Sequence, residues 1–199
     1  VQPNVQLSEG TLDANYYQHL PYYEEQVEDR GYDFAHYEGI HIEPFALYSD
    51  KVKDLKDLPQ GGTIGINNDP SNQGRALQLL ADHDVITLKD GVDATNATIL
   101  DVEDNPKDLE FKETDAAQLA RSLQDLDAAV INGNYAIEAE LSVDDALVVE
   151  EGKDNPYANF LAVQSANEDN EGLKKLDELL HSPEVKAYIE ETWPKGEVL

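Results

Sequence analysis

Ile64-Gly65-Ile66-Asn67-Asn68-Asp69-Pro70-Ser71-Asn72-Gln73-Gly74-Arg75-Ala76-Leu77 is the stretch on which the fold turns. Ile64-Gly65-Ile66 reads as a short buried strand and Asp69-Pro70 as a turn. The spacing over 76–81 predicts a helix capped by Ser71 or Asn72. Strand, turn and helix in that order make half of an α/β unit. A helix start favours an anion, because its first N–H groups and the positive end of its dipole face outward. Arg75, one of three arginines in the chain, adds a guanidinium that can grip a carboxylate through two parallel hydrogen bonds. Asn72, three residues earlier, shares a helix face with it. The plainer alternative stays open: Arg75 pairs with one of the 42 acidic side chains, and Asn72 only caps the helix.

The pattern extends in both directions. Residues 118–124 have helical spacing and lead into an apolar strand over 126–131 that delivers Asn132 at its end, while 160–163 reads as a return strand beginning next to Asn159. Near the start, 5–9 reads as the end of a helix stopped by Gly10, and 12–14 as a strand entering a tyrosine-rich segment. Leu-Asp-Ala occurs at 12–14 and again at 126–128, which suggests two similar lobes. Ligands in open α/β sheets bind at the carboxyl ends of strands, so both ends are expected at one cleft. Residues 42–48 form an apolar crossover strand, 99–102 and 109–111 are short strand candidates, and 173–180 with 185–189 are closing helices. The expected division is an outer lobe from 1–45 and 159–199 with a middle lobe, 46–158, inserted in it.

Composition limits the function classes. A chain of 199 residues with 40% apolar content can bury a core. Its formal charge of −28 argues against nucleic acid or an anionic membrane surface as partner, since like charges repel. The absence of cysteine removes disulfides, zinc-thiolate sites and thiol nucleophiles. No apolar run is long enough to span a bilayer and no signal peptide opens the chain. No Gly-x-Ser-x-Gly elbow, phosphate loop or dinucleotide fingerprint occurs, so no catalytic residue, cofactor or metal site is assigned. Two competing classes remain: a carboxylate-based hydrolase, and an acidic surface protein for adhesion or calcium binding.

Tyr16, Tyr17, His19, Tyr22 and Tyr23 crowd aromatic surface around Pro21. Such rings suit a thioether, because sulfur packs favourably against aromatic edges; a core cluster is the alternative. Asn132 and Asn159 each end a buried strand, where an amide can donate to one group and accept from another. Asparagine is equally an ordinary turn residue. The spacing of His36 and His41, with Glu38 and Glu43 nearby, fits no zinc motif.

Four ordered stretches, 13–23, 67–77, 130–136 and 155–159, give the chain a further property. In content and order it resembles the methionine-binding lipoproteins, the substrate-binding subunits of methionine ABC importers. The resemblance implies a two-lobed, type II periplasmic-binding-protein-like α/β fold whose first βαβ element, preceded in the family by a signal peptide and a lipidated cysteine, is missing here. It implies a binding protein, not an enzyme, that captures L-methionine or a close derivative in an interlobe cleft. Its partners are then an importer permease with its ATPase, and its place is outside the cytoplasm at the cell envelope, the only membrane link being a lipid anchor absent from this chain. By resemblance Tyr17, His19 and Tyr22 fall on pocket positions, joined as ligand-binding candidates by Asn72, Arg75, Asn132 and Asn159. Many members of that family have phenylalanine where Tyr17 stands, so the added hydroxyl needs a partner when buried.

Overall fold

The structure, a computed structural model, describes residues 2–153 and 155–199. It is α/β and forms two units, one of Val1–Glu43, Gly152–Pro194 and Val198–Leu199, the other of Pro44–Glu151 and Lys195–Glu197. The second crossing thus falls after Glu151, ahead of the expected Ala158. Residues 155–158 lead directly into their strand, and Tyr157 packs edge-on against His19 of the first unit.

In the first unit, α1 (Gln2–Ser8) precedes β1 (Ala14–His19), α2 (Leu20–Arg30) and β2 (Phe34–His41). β10 (Asn159–Gln164) lies between β1 and β2, antiparallel to both. The tyrosine stretch is therefore a strand followed directly by a helix. Pro21 opens α2, where a missing N–H costs nothing, and His19 caps it by accepting from the Tyr22 amide at 3.2 Å. Gly31, at φ 65°, closes it with a bond to the Val27 carbonyl. β2 went unrecognised in the sequence because both of its faces are largely solvated, leaving no apolar alternation to read. Leu7, Tyr23, Phe160 and Ala162 form the buried core here. Behind it Asn4, Asn15 and Gln18 are buried and bond to one another at 2.8–3.0 Å, so no amide of the three is left unsatisfied. α6 (Glu171–Leu180), capped by Asn170, and α7 (Pro183–Thr192), capped by Ser182, complete the unit.

The second unit holds β3 (Ala46–Tyr48), β4 (Thr63–Asn67), β7 (Glu110–Thr114), β8 (Ala128–Ile131) and β9 (Val148–Val149) in the order β7-β4-β8-β3-β9. β4 is parallel to β7 and β8, while β3 is antiparallel to β8 and β9, a mixed sheet. β5 (Thr87–Leu88) and β6 (Val102–Asp104) form a separate pair. The expected strand over 42–48 shrinks to β3, since Pro44 has no N–H for a ladder. The expected strand over 99–102 is instead a 3-10 turn at Ile99–Asp101 leading into β6.

Alternation along the strands sorts the second unit's core into two layers. Leu47, Ile64, Ile66, Ala128 and Val130 pack with Ala76, Leu77, Leu79 and Leu80 of α3 (Pro70–Asp82). Ala46, Tyr48, Ala129 and Ile131 pack with Leu119 of α4 (Ala116–Ser122), Leu123, and Ala136 of α5 (Gly133–Glu138). Gly65 is where the second layer comes closest, since a Cβ there would stand 2.7 Å from Leu126 Cδ1 and 3.0 Å from Leu119 Cδ2. Gly65→Val is therefore expected to destabilise the protein by roughly 1–3 kcal/mol through overpacking. Urea unfolding reads this as a lower midpoint at unchanged slope; an unshifted midpoint would show that the α4 layer yields freely.

Candidate functional site

The helix that carries the arginine starts earlier than its apolar spacing indicates. Asp69, not Ser71 or Asn72, is the cap of α3, accepting from the Asn72 amide at 3.0 Å, and Pro70 takes the first helical position. Asn72 is buried inside the first turn, its Nδ2 donating to Asp69 Oδ1 at 2.7 Å. Arg75, only 3% exposed, lies one turn further along. Its Nε donates to Glu150 Oε1 at 2.9 Å and its Nη2 to Glu150 Oε2 at 2.5 Å, the paired geometry of a guanidinium and a carboxylate. The guanidinium also stacks over the Phe45 ring, 3.9 Å from its centre. Glu150 Oε2 accepts from the Phe45 amide at 3.1 Å as well, so one carboxylate ties helix, ring and backbone together. Sequence reading singled out Arg75 and missed Glu150, for nothing local marks one acid among many as a partner 75 positions away.

On the same unit Asn132 caps α5 and its Oδ1 accepts from Asn67 Nδ2 at 2.9 Å. The Asn132 amide is thereby turned so that nitrogen is its remaining polar atom. Asn67 is fully buried, and its own Oδ1 has no hydrogen-bond partner among the described residues.

The other candidates lie on the first unit. Tyr17, His19 and Tyr22 are brought together: the Tyr17 and Tyr22 rings stand 6.3 Å apart and those of His19 and Tyr22 6.2 Å apart, both edge to face. Tyr157 joins them at 5.0 Å from His19, an aromatic neighbour that the quoted stretch 155–159 contains but sequence reading did not single out. The Tyr17 hydroxyl is buried with no hydrogen-bond partner among the described residues. Burial above all, and then the neighbouring Tyr22 phenol, pushes its pKa well up, so it stays protonated. Tyr16 points elsewhere, its hydroxyl bonded to His41 Nδ1. Across the sheet His19, Asn159 and His41 stand in register on β1, β10 and β2. Asn159 Nδ2 lies 3.4 Å from Glu43 Oε2 and 3.5 Å from His41 Nε2. His36 packs against Phe160 and Tyr23 instead of meeting His41. Among the described residues no group of three or more His, Asp or Glu side chains is gathered as a metal site, and no helix is long and apolar enough to cross a membrane.

Each unit by itself offers binding chemistry: the second a buried guanidinium held in place and the Asn132 amide, the first the Asn159 amide and an aromatic cluster with a buried hydroxyl. Known proteins share the scaffold that carries it. A family model described as NlpA lipoprotein matches residues 1–199. The methionine-binding lipoprotein MetQ of Bacillus subtilis (strain 168) is 42% identical over 194 residues, covering 96% of this chain and 71% of that protein. A nutrient binding protein from Burkholderia cenocepacia, solved bound to methionine, superimposes with a TM-score of 0.95 at 48% identity, covering 100% of this chain and 83% of the other. An ABC transporter periplasmic substrate-binding protein from Coxiella burnetii gives a TM-score of 0.93 at 43% identity over 99% of this chain and 82% of its own. With the family model matching its whole length and relatives more than 40% identical covering nearly all of it, the chain belongs to the NlpA lipoprotein family.

Proposed function

We propose that this chain binds methionine or a close derivative outside the cytoplasm and delivers it to an ABC importer, docking on the importer's permease while a separate ATPase drives transport. The observation that carries this reading is the Burkholderia cenocepacia relative bound to methionine, nearly half identical over the whole of this chain. The side chains support it group by group. Arg75, held by Glu150 and Phe45, supplies a preorganised cation for a carboxylate, helped by the Asn132 amide nitrogen and by Asn72 at the same helix start. Asn159 supplies an acceptor, and the rings of Tyr17, His19 and Tyr22 supply edges for a thioether. In this reading these groups bind and orient the ligand, which leaves chemically unchanged.

A ligand that binds only the folded state raises stability by mass action, about 2.7 kcal/mol at a hundred times its dissociation constant. In a chain of this size that corresponds to a rise of about 5–10 °C in melting temperature. L-methionine, D-methionine and calcium are to be compared side by side in thermal unfolding, with the amino acid recovered afterwards by mass spectrometry. Stabilisation by methionine, recovered intact, is the expected result. A response to calcium alone would replace the reading with a cation-binding acidic protein, and conversion of the amino acid would make the chain an enzyme.

A further inference from the structure

The geometry points to Glu43 as a positioning residue: braced by Tyr16 and His41, its carboxylate fixes the Asn159 amide with nitrogen towards itself and oxygen left to accept from the ammonium group of an amino acid, a role that rests on the methionine reading above. The register places the parts. β2 ends at His41, opposite Asn159 on the central strand, and Glu43 follows two residues later, where the chain leaves the sheet. The carboxylate meets two nitrogens, His41 Nε2 at 3.4 Å from Oε1 and Asn159 Nδ2 at 3.4 Å from Oε2.

The hydrogens can be assigned along this chain of contacts. Burial first, and then the negative charge of Glu43, pushes the Tyr16 phenol far above its ordinary value, so it stays protonated with a hydrogen to give to His41 Nδ1, its bonded neighbour. When Nδ1 accepts from that hydroxyl, the ring's hydrogen sits on Nε2, which faces Glu43 Oε1 at 3.4 Å. The carboxylate is then held from one side by His41 and receives the Asn159 amide on the other. Turning that amide over would set Oδ1 against a carboxylate oxygen, which repels it. The nitrogen is thus committed and the oxygen remains, and a carbonyl oxygen can only accept. Asn132 has the reverse setting, since Asn67 occupies its oxygen and leaves the nitrogen to donate.

A site built to accept a hydrogen bond discriminates against a ligand that lacks the donor. The test uses two probes, L-methionine and 4-(methylthio)butanoate, which keeps the carboxylate and thioether and lacks the amino group. Calorimetric titration of the wild type is expected to favour methionine by about tenfold or more, the worth of one charge-assisted hydrogen bond. Glu43→Ala should cut that preference to about threefold or less while leaving the affinity for the deaminated acid within about twofold, because only the reader of the ammonium group is disturbed. Tyr16→Phe, which keeps the ring and the fold, should shift the preference the same way by a smaller factor, and it decides the matter alone if Glu43→Ala does not fold. An unchanged preference in these variants, or an equal loss for both probes, would make Glu43 a structural residue only. A wild type that binds methionine with that result overturns the positioning role alone; a wild type that binds neither probe overturns the methionine reading and this role with it.

Discussion

Replacing Arg75 by alanine is expected to weaken methionine binding by at least about thirtyfold, since truncating a partly desolvated charge contact costs on the order of 2–5 kcal/mol and each decade of affinity is 1.4 kcal/mol. The expected size of the loss follows from the proposed role and from how the side chain is held. Glu150 takes the Nε and Nη2 side of the guanidinium and Phe45 its face, so the group is held still before any ligand arrives. Arg75→Lys should recover only part of the affinity, because an ammonium cannot reproduce the planar fork or the stack on Phe45. Titration calorimetry below the melting temperature of each variant measures this directly. Wild-type affinity in a folded Arg75→Ala protein would assign the arginine to the framework and remove it from the ligand.

Glu150→Ala is expected to cost stability more than any surface substitution, about 3–5 kcal/mol, because it removes the paired carboxylate from a guanidinium that is 3% exposed. The Phe45 amide loses its acceptor in the same step. For a chain of this size the melting temperature should fall by about 6–20 °C. The double variant Arg75→Met/Glu150→Leu removes both charges and should regain most of that loss, as buried pairs often give way to apolar side chains without penalty. It should nevertheless bind methionine no better than Arg75→Ala does. Thermal unfolding of the three variants separates the two roles: equal melting temperatures for Glu150→Ala and wild type would show that water reaches the pair.

What could be read in the sequence followed from local rules. The strand at 64–66, the turn at Asp69-Pro70 and the helix beyond it appear because apolar spacing and a proline-led helix start act over a few residues. β8 before Asn132 and β10 from Asn159 were legible for the same reason, being short apolar runs buried on both faces. The α2–β2 segment was not, since its helix starts inside an aromatic cluster and its strand is half solvated. Of the candidate residues, sequence order supplied Arg75, Asn132, Asn159 and the tyrosine–histidine segment. Their partners stayed hidden. Glu150, Asn67, His41 and Glu43 approach from far along the chain, and charge or amide identity alone does not select them from many equivalent residues.

The strand pairing at the boundary of the second unit has a consequence for how the chain comes together. β3 and β9 run side by side, with the Glu150 amide donating to the Phe45 carbonyl and the Phe45 amide to the Glu150 carboxylate. Once Pro44–Glu151 has folded, its entry and exit are therefore adjacent. β10 must find its place between β1 and β2, strands made more than a hundred residues earlier. The pre-joined ends shorten the loop to be closed roughly tenfold, which lowers its entropic cost by about 2 kcal/mol. Seen from the broken sheet, the long insertion counts as a loop of a few residues, and the central strand has only that short span to close.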